Sequence, residues 1–264
     1  MKKTLGIFVA LVFIASGFSA QAQVWKQGET LRIGHRGTRA LVDENTLESM
    51  KKAIEIGVDS VEFDIQRTKD GVFVVIHDPT VDRTMNGKGL VSSMTLAEFK
   101  QLKTTSGYTA PTLEEVLEYL KPLPVGIILD IKVNDSKCIP AVYAIVDKYG
   151  LVSRTVFETT SPKVGKAIEE FKPELVSAIY PAWPPSALMI AKKYKMDCVS
   201  IYYPFASKLY KKMAEKDGVK FVVWTVNKPK TIERFEKMGV DGIMTDDPNL
   251  FKSAPAKNCS ACQK

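Results

Sequence analysis

Short runs of β-branched and other apolar residues alternate with longer amphipathic stretches along most of this chain. Most of the runs are separated by segments with helical periodicity, among them residues 47–56, 113–120, 139–149 and 207–216. Because strands and helices alternate, the pattern predicts parallel strands joined by crossover helices. The strand-like runs are centred on nine positions: Ile33, Glu62, Val74, Ile128, Val156, Ala178, Ser200, Val222 and Ile243.

Threonine residues mark the predicted starts of several helices. Thr46, Thr95 and Thr112 each stand directly before an amphipathic stretch. Thr95 and Thr112 are followed three residues later by Glu98 and Glu115, which is the pattern of a capping box. In such a box the two side chains bond each other's backbone N–H groups, so the pattern predicts two well-defined helix N-termini.

The number of strands and the length of the chain favour an α/β fold, the TIM (β/α)8 barrel. Such barrels are typically built from about 250 residues in one domain. Nine strand candidates exceed the eight positions of a barrel, so we expect one strand to lie outside the ring. A doubly wound open sheet is the alternative, and it would place the ligand site at a switch point in the strand order.

The first residues have the composition of a targeting segment. Lys2 and Lys3 precede an apolar segment over residues 5–18, and Ala20-Gln21-Ala22 supplies the small residues of a cleavage site. This order predicts a signal peptide at residues 1–22 and export, to the periplasm or as a secreted protein. The apolar segment is shorter than the roughly 20 residues of a membrane span, so we expect no transmembrane segment.

The rest of the chain predicts one domain over residues 23–252 and a polar C-terminal tail over residues 253–264. The tail contains Cys259-Ser260-Ala261-Cys262 but no helical pattern, so we expect neither a thioredoxin-like redox site nor a zinc site there. Cys138 and Cys198 stand in the helical and strand patterns of the domain. We expect both to be buried small apolar residues rather than a disulfide.

The net charge gives only a weak indication of the partner. The formal net charge is +7 at pH 7, and the lysines that produce it are scattered. Without an arginine-rich stripe or a nucleic-acid-binding motif, we expect no nucleic-acid partner. A modest positive charge favours anionic substrates or surfaces through long-range attraction.

The chain contains only two histidines, and each ends an apolar run. His35 follows Leu31-Arg32-Ile33-Gly34, and His77 follows Val72-Phe73-Val74-Val75-Ile76. Histidine is the side chain whose ordinary pKa, about 6.5, allows it to accept and donate protons near neutral pH. Two histidines beside charged residues at predicted strand ends indicate acid–base chemistry more strongly than a structural role.

Three carboxylates are expected near the histidines. Glu62 and Asp64 lie in one strand-like run and point to the same side, because strand side chains alternate. Asp130 lies near the end of another run, and the carboxyl ends of barrel strands surround one active site. Burying three carboxylates without partners is costly. Oxygen ligands without cysteine therefore predict one hard divalent cation, Ca²⁺ or Mg²⁺.

Several short motifs, in a fixed order between about residues 31 and 248, resemble those of the glycerophosphodiester phosphodiesterase family. The resemblance implies a TIM barrel that hydrolyses small glycerophosphodiesters, with a divalent metal ion, to glycerol 3-phosphate and an alcohol. The motifs are Gly34-His35-Arg36-Gly37, Glu44-Asn45-Thr46, Glu62-Phe63-Asp64, Thr68-Lys69-Asp70-Gly71, His77-Asp78, Asp82-Arg83-Thr84, Leu129-Asp130-Ile131-Lys132, Trp224-Thr225-Val226-Asn227 and Gly239-Val240-Asp241-Gly242-Ile243-Met244-Thr245-Asp246.

The resemblance also implies the catalytic residues and the metal ligands. His35 and His77 match the family's catalytic pair, and we assign His35 as the base and His77 as the acid. Glu62, Asp64 and Asp130 match the metal ligands. The family usually has Glu where this chain has Asp130, so the third ligand is one methylene shorter. The related sphingomyelinase D enzymes use an aspartate at this place, so metal binding is still expected.

Other matching residues are expected to bind the substrate or to support the site. Arg36 and Lys132 match positions near the phosphate, and Trp224 is the best candidate for a wall against the alcohol. Glu44 either assists the metal site or holds its loop. Asp78 either orients His77 or only forms the turn after the strand.

Two further features concern access to the site. Residues 82–99 resemble the family's insertion after the second histidine, and their brevity predicts a modest cap. Aromatic residues at later strand ends either line a pocket for the alcohol or a choline-like cation, or only pack at the rim. They are Tyr180, Trp183, Tyr202, Tyr203, Phe205 and Trp224.

Two alternative functions keep the same fold. A phospholipase D-like lyase would form a cyclic phosphate from a lysophospholipid or sphingolipid, and it would show an exposed apolar rim around the site. A non-catalytic binding protein would have lost a histidine or a carboxylate, yet only Asp130 departs from the family pattern. The sequence leaves the oligomeric state open.

Overall fold

The alternating strands and helices close into a barrel. In the computed structural model, which describes Trp25 and residues 28–251, nine strands form one sheet. Eight of them are parallel, and the first pairs with both the second and the last, which closes the ring. The predicted TIM barrel is confirmed and the open doubly wound sheet is wrong. The strands are β1 (Leu31–Gly34), β2 (Ser60–Arg67), β3 (Phe73–Val75), β4 (Gly126–Ile131), β5 (Thr155–Thr159), β6 (Val176–Ile179), β7 (Cys198–Tyr202), β8 (Lys220–Trp224) and β9 (Gly242–Thr245).

The helices begin where the sequence places polar caps. Thr95 and Thr112 each close the capping box with Glu98 and Glu115, as predicted, and each cap contributes roughly 1 kcal/mol to helix stability. Thr46 caps the first helix through the N–H of Ser49. The helices are α1 (Leu47–Ile56), α2 (Leu96–Lys100), α3 (Leu113–Leu120), α4 (Ile139–Lys148), α5 (Pro162–Phe171), α6 (Ala187–Tyr194), α7 (Lys208–Lys216) and α8 (Pro229–Met238).

Strand β3 is the strand that lies outside the ring, as the count of nine predicts. It pairs antiparallel with the end of β2, where Ile65 lies opposite Val75. The segment that follows β3 packs a small apolar cluster of its own, which includes Val81, Val91 and Phe99. The insertion predicted after the second histidine, which follows this third strand, is therefore a small lobe beside the barrel mouth.

Alternation along the strands separates an outer core from the barrel interior. On β2, Val61 and Phe63 point outward into the layer of helices, while Glu62 and Asp64 alternate with them on the inner side. On β4, Ile128 belongs to an apolar layer inside the barrel, and Asp130 stands two residues further toward the carboxyl end. The barrel is thus apolar inside at its lower level and carboxylate-lined at its mouth.

The remaining expectations concern cysteines and the ends of the chain. Cys138 and Cys198 are buried and free, as predicted. Within the part of the chain that the structure describes, no helix is long and apolar enough to span a membrane. The predicted signal peptide, residues 1–22, and the tail with its two cysteines lie outside the described residues.

Candidate active site

A tight turn after β1 brings His35 and Arg36 over the mouth of the barrel. Arg36 and Gly37 both have positive φ, 51° and 81°. A Cβ on Gly37 would lie 2.4 Å from the hydroxyl oxygen of Ser49, so only glycine fits. The backbone N–H of Arg36 donates to Oε2 of Glu62 at 2.7 Å. The turn is therefore tied directly to the carboxylates of β2.

Glu62, Asp64 and Asp130 come together at the carboxyl ends of β2 and β4. One carboxylate oxygen from each lies within 4.8 Å of the others, and all three side chains are buried. Asp64 and Asp130 are register partners on the neighbouring strands. Oδ1 of Asp130 is buried without a hydrogen-bond partner. The three predicted ligands therefore form one cluster, with an oxygen left unsatisfied.

Burial and mutual repulsion oppose ionisation of two of these carboxylates. Burial, and then the charges of Asp64 and Asp130, raise the pKa of Glu62 well above its ordinary value. Burial raises the pKa of Asp130 to about 6, although Lys132 opposes this. For Asp64, burial is outweighed by positive neighbours, Lys132 first, and the pKa is lowered. The cluster has more negative charge than its surroundings neutralise.

These residues fit a hard divalent cation. Three carboxylates supply oxygen ligands of the kind that Ca²⁺ and Mg²⁺ prefer. A bound cation would give the unpartnered Oδ1 of Asp130 a partner. It would also stabilise the ionised form of Glu62, whose pKa is raised in its absence. The shorter side chain of Asp130 still reaches the cluster.

Lys132 lies between two of the carboxylates. Its Nζ is 3.1 Å from Asp64 and 2.6 Å from Asp130. It also donates to the hydroxyl of Tyr180, which in turn donates to Asp130. Although burial favours the neutral amine, Asp130 and Asp64 raise the pKa of Lys132, so it stays positively charged at the mouth.

His35 is fixed by an aspartate from the other end of the chain. Its Nδ1 lies 2.6 Å from Oδ1 of Asp246, which follows β9. A carboxylate only accepts, so Nδ1 carries the proton and Nε2 is the nitrogen free to accept one. Burial lowers the pKa of His35, and the bond to Asp246 opposes that shift only in part. His35 is therefore neutral at neutral pH.

His77 is held in the same way by its neighbour Asp78. Nδ1 of His77 lies 2.6 Å from Oδ1 of Asp78. Arg83 donates from Nε to the other oxygen of Asp78, also at 2.6 Å. Mainly because of the bond from Arg83, the pKa of Asp78 is lowered to about 2. Asp78 therefore contacts His77 directly, in addition to forming the turn.

Glu44 connects the two arginines of the site. It accepts from Arg36 at 2.7 Å and from Arg83 at 2.7 and 3.0 Å. Arg36 also lies 3.4 Å from Asp64. Of its two predicted roles, the structure places Glu44 in the loop network, and the carboxylate cluster does not include it. Arg36 is thereby held beside the cluster.

Glu158 is a fourth buried carboxylate that the sequence analysis did not single out. It lies on β5 as the register partner of Asp130, and it accepts from the hydroxyl of Ser200. Burial and the charge of Asp130 raise its pKa to about 8, so it is neutral at neutral pH. The segment Thr155–Thr159 shows no motif, and only its inward position at a strand end would have indicated Glu158.

Aromatic side chains line the side of the mouth that lies opposite the histidines. The ring of Trp224, at the end of β8, lies 5.5 Å from Tyr180 and 5.6 Å from Tyr202. With Trp183, Phe205 and neighbouring residues these rings line a cleft of about 350 Å³. Because Tyr180 also bonds Asp130, the cleft leads directly from the carboxylates. Trp224 therefore lies in the wall of this cleft, on the side next to the carboxylate cluster.

Asp246 and Arg83 are further residues of the site, to which the sequence analysis assigned no role. Both stand in the recognised motifs, but their partners are distant: Asp246 contacts His35 across 211 residues, and Arg83 contacts Glu44 across 39. The side-chain amide of Asn227 donates to Asp246 at 2.7 Å. Closure of the barrel creates the first contact, and the lobe after β3 creates the second.

Comparisons with known proteins agree with this site. Residues 35–250 match the sequence profile of the glycerophosphoryl diester phosphodiesterase family. A glycerophosphodiester phosphodiesterase of Caldanaerobacter subterraneus subsp. tengcongensis is 35% identical over 241 residues, which cover 84% of this chain and 96% of that protein. The similarity thus extends over the barrel and not over single motifs.

Solved structures with the same fold include enzymes of this class. A phosphodiesterase of Oleispira antarctica, in complex with the product sn-glycerol-3-phosphate, has a TM-score of 0.77 and 25% identity, covering 83% of this chain and 94% of that one. A glycerophosphodiester phosphodiesterase of Parabacteroides distasonis has a TM-score of 0.74 and 28% identity, covering 84% and 94%. This chain belongs to the glycerophosphoryl diester phosphodiesterase family.

Proposed function

We propose that this glycerophosphodiester phosphodiesterase releases glycerol 3-phosphate and an alcohol at the mouth of the barrel, with His35 and His77 as its acid–base pair. The observation that carries the proposal is the arrangement of the two histidines. Each is held at Nδ1 by an aspartate at 2.6 Å, and both belong to the charge network of one carboxylate cluster. Each Nε2 is thereby free for proton transfer.

Glu62, Asp64 and Asp130 are the residues that would hold a divalent cation. When bound, such a cation supplies Lewis-acid charge for a phosphate oxygen. Arg36 and Lys132 add permanent positive charge beside the cluster. A phosphodiester anion repels a nucleophile. Positive charges that are already in position before the reaction therefore lower its activation barrier.

The two histidines differ in environment, which supports different roles. His35 is almost fully buried and neutral, and we assign it as the base that takes a proton from the attacking water. His77 is partly exposed, and Asp64 and Asp78 oppose the lowering of its pKa by burial. The negative charge of a bound phosphate favours its protonated form further. We assign His77 as the acid that protonates the leaving alcohol.

The assignment is tested with two leaving groups. An activated p-nitrophenyl ester of glycerol phosphate needs little protonation of its leaving group, whereas glycerophosphocholine needs a proton. His77→Ala should therefore lose far more turnover with glycerophosphocholine than with the activated ester. His35→Ala should lose turnover with both. The reverse pattern would exchange the two roles, and near-normal turnover in either variant would remove the acid–base pair.

The overall activity is tested by turnover of glycerophosphocholine and glycerophosphoethanolamine. The protein is stripped with EDTA, and Ca²⁺ or Mg²⁺ is restored separately. We expect metal-dependent release of glycerol 3-phosphate and none from His35→Ala. Metal binding in solution without turnover of either substrate would contradict this substrate class.

One observation favours the lyase alternative as a second candidate. Trp183, Tyr202 and Phe205 are exposed at the mouth, and an exposed apolar rim is what that alternative expects. The products separate the two reactions, because a lyase leaves a cyclic phosphate that phosphorus NMR distinguishes from a phosphomonoester. The non-catalytic alternative loses its support, since both histidines and all three carboxylates are present and assembled.

We also propose that the protein is exported after cleavage behind Ala22. The proposal rests on the basic and apolar order of residues 1–22. N-terminal sequencing of the protein from the native cell should give Gln23 as the first residue. An N-terminus at Met1 in an intracellular fraction would contradict export.

A further inference from the structure

Exposed apolar side chains are concentrated on one side of the catalytic mouth. Among the described residues, nine large apolar side chains are exposed, and six of these lie between positions 183 and 213. We call the six the apolar rim. They are Trp183, Met189, Tyr202, Phe205, Leu209 and Met213.

The rim is continuous with the active site. The ring of Phe205 lies 6.1 Å from Trp183 and 6.3 Å from Tyr202, and Tyr202 contacts Trp224. The hydroxyl of Tyr210 donates to the backbone oxygen of Pro184 at 3.0 Å, which ties α7 to the Trp183 segment. Crossover helices leave the carboxyl ends of strands, so the first turns of α6 and α7 lie on the catalytic side. Met189 and Leu209 stand in these turns.

Helix α7 has an unusual outer surface. Leu209 and Met213 are one turn apart, 71% and 49% exposed, while Ala214 is buried against the barrel. Lys208 and Lys212 form the adjacent exposed stripe. A helix that presents leucine and methionine beside lysines is typical of segments that lie in a lipid interface.

The charge of this region indicates what the rim contacts. The lysines beside the rim are Lys208, Lys211 and Lys212 on α7, and of these Lys211 is paired with Glu215. Lys192, Lys193 and Lys195 at the end of α6, like Asp197 at the start of β7, lie at the opposite end of the barrel. Two copies of the chain that met through this surface would bring like charges together. An anionic lipid surface would instead attract the lysines while the apolar side chains enter the headgroup region.

We propose that the apolar rim, with Lys208 and Lys212, docks the protein on an anionic lipid surface, with the catalytic mouth facing the membrane. Leu209, Met189 and Trp183 are the most exposed side chains of the rim, at 71%, 68% and 64%, so they are the side chains that enter the lipid. The docking does not depend on the identity of the substrate. It places the site where phosphodiesters of lipid origin are most concentrated.

The test is flotation of the protein with vesicles. The chain from residue 23 is used, because the apolar segment before it would itself enter lipid. Vesicles of phosphatidylglycerol and phosphatidylcholine in equal parts are compared with phosphatidylcholine alone. We expect binding to the anionic vesicles that weakens with salt, together with a blue shift of tryptophan emission. Trp183→Phe should remove most of that shift while flotation persists, because the other two tryptophans, Trp25 and Trp224, are not exposed.

Variants separate the apolar and the charged contributions. Leu209→Ser with Met213→Ser should lower the partition coefficient by about tenfold or more, since both apolar anchors are lost. Lys208→Ser with Lys212→Ser should weaken binding and flatten its salt dependence. The matched control is Lys148→Ser with Lys237→Ser, because these lysines are 60% and 74% exposed in the last turns of their helices, away from the mouth. These three double variants should turn over soluble glycerophosphocholine normally, which shows that they are folded.

Three results would overturn the proposal. The first is no flotation of the unmodified protein with anionic vesicles. The second is equal flotation of the Leu209→Ser, Met213→Ser variant and the unmodified protein. The third is a dimer in sedimentation that the same two substitutions convert to a monomer, since the rim would then be an interface between copies of the chain.

Discussion

The two sides of the barrel mouth carry different kinds of side chain. On the side of β1, β2 and β4, charged side chains contact one another, from Asp246 to His35 and from Glu44 through Arg36 to Asp64. On the side of β6 to β8, aromatic rings contact each other at 5.5–6.3 Å. The charged groups determine each other's charge and position, so the substitution of one of them affects several others. Ring contacts are weak and largely independent, so their changes stay local.

The largest expected effect comes from the centre of the charged side. Asp64→Asn removes the carboxylate that keeps its charge and contacts Lys132, Arg36 and Asn45. We expect turnover to fall by about a thousandfold or more, as for loss of a principal electrostatic group. Steady-state kinetics measures this, and calorimetry of Ca²⁺ or Mg²⁺ binding should show weaker binding. Asp147→Asn, at an exposed aspartate of α4, is the control and should be near normal. A loss of less than about tenfold in Asp64→Asn would contradict the prediction.

A smaller loss is expected when the link between the loops is cut. Arg83→Ala removes the bonds to Asp78 and Glu44, so His77 and Arg36 lose their shared support. We expect kcat to fall by about tenfold to a hundredfold. Arg83→Lys should restore little of it, because an ammonium cannot make the same forked contacts. Full activity of Arg83→Ala would show that the two loops are positioned independently.

The pH profile tests the base on the same side. Asp246 holds the pKa of His35 up against the larger effect of burial. Asp246→Asn removes that support, so the pKa of His35 falls further and the acid limb of kcat/KM moves to lower pH. We expect a shift of about one pH unit or less, with a reduced plateau. A shift of the limb toward higher pH would contradict the assignment of His35 as the base.

On the aromatic side, a single change should have only a modest effect. Tyr202→Ala removes one ring beside Trp224 and leaves the carboxylates untouched. We expect KM for glycerophosphocholine to rise by about twofold to tenfold, with kcat within a factor of about two. Tyr143→Ala, at a ring pair with Phe171 outside the mouth, is the control. A large loss of kcat in Tyr202→Ala would mean that the aromatic side takes part in the chemistry.

The smallest effect concerns stability far from the mouth. Burial raises the pKa of Glu169 to about 7, although Ser177 bonds its carboxylate. The folded protein favours the neutral form of Glu169. The stabilisation from this carboxyl group is therefore fully present below its ordinary pKa, and it is lost as the pH rises through 7. Glu169→Gln should therefore increase the free energy of unfolding at pH 8 by about 1 kcal/mol, allowing for its half-exposed side chain, and change it little near pH 4. Denaturant titrations at the two pH values measure this, and a larger gain at pH 4 would contradict it.

The same comparison explains what the sequence could predict. The alternation of β2 and β4 placed Glu62, Asp64 and Asp130 on one inner face, and the capping boxes of Thr95 and Thr112 marked their helices. These are local patterns that depend on a few neighbouring residues.

Contacts that form only when the barrel closes could not be predicted from the sequence. Asp246 meets His35 only because β9 pairs with β1, and Glu158 meets Asp130 only through strand register. The aromatic residues were visible as a set, but their grouping into one cleft depends on how three strands are placed. Roles that come from motifs could be assigned in advance, whereas partners across the barrel could not.

Because of strand β3, the two histidines of the proposed catalytic pair lie in parts of the molecule that differ in stability. His35 follows a strand of the closed ring, whereas His77 follows a three-residue strand outside the ring, which pairs with the end of β2 and makes one further bridge, from Val74 to Thr112. Its lobe is held by a small cluster that includes Val81, Val91 and Phe99, not by the main core. Opening of the lobe costs less free energy than melting of the ring. Heat inactivation should accordingly precede the loss of barrel structure, and hydrogen exchange should be faster at Ile76 than at Ile33.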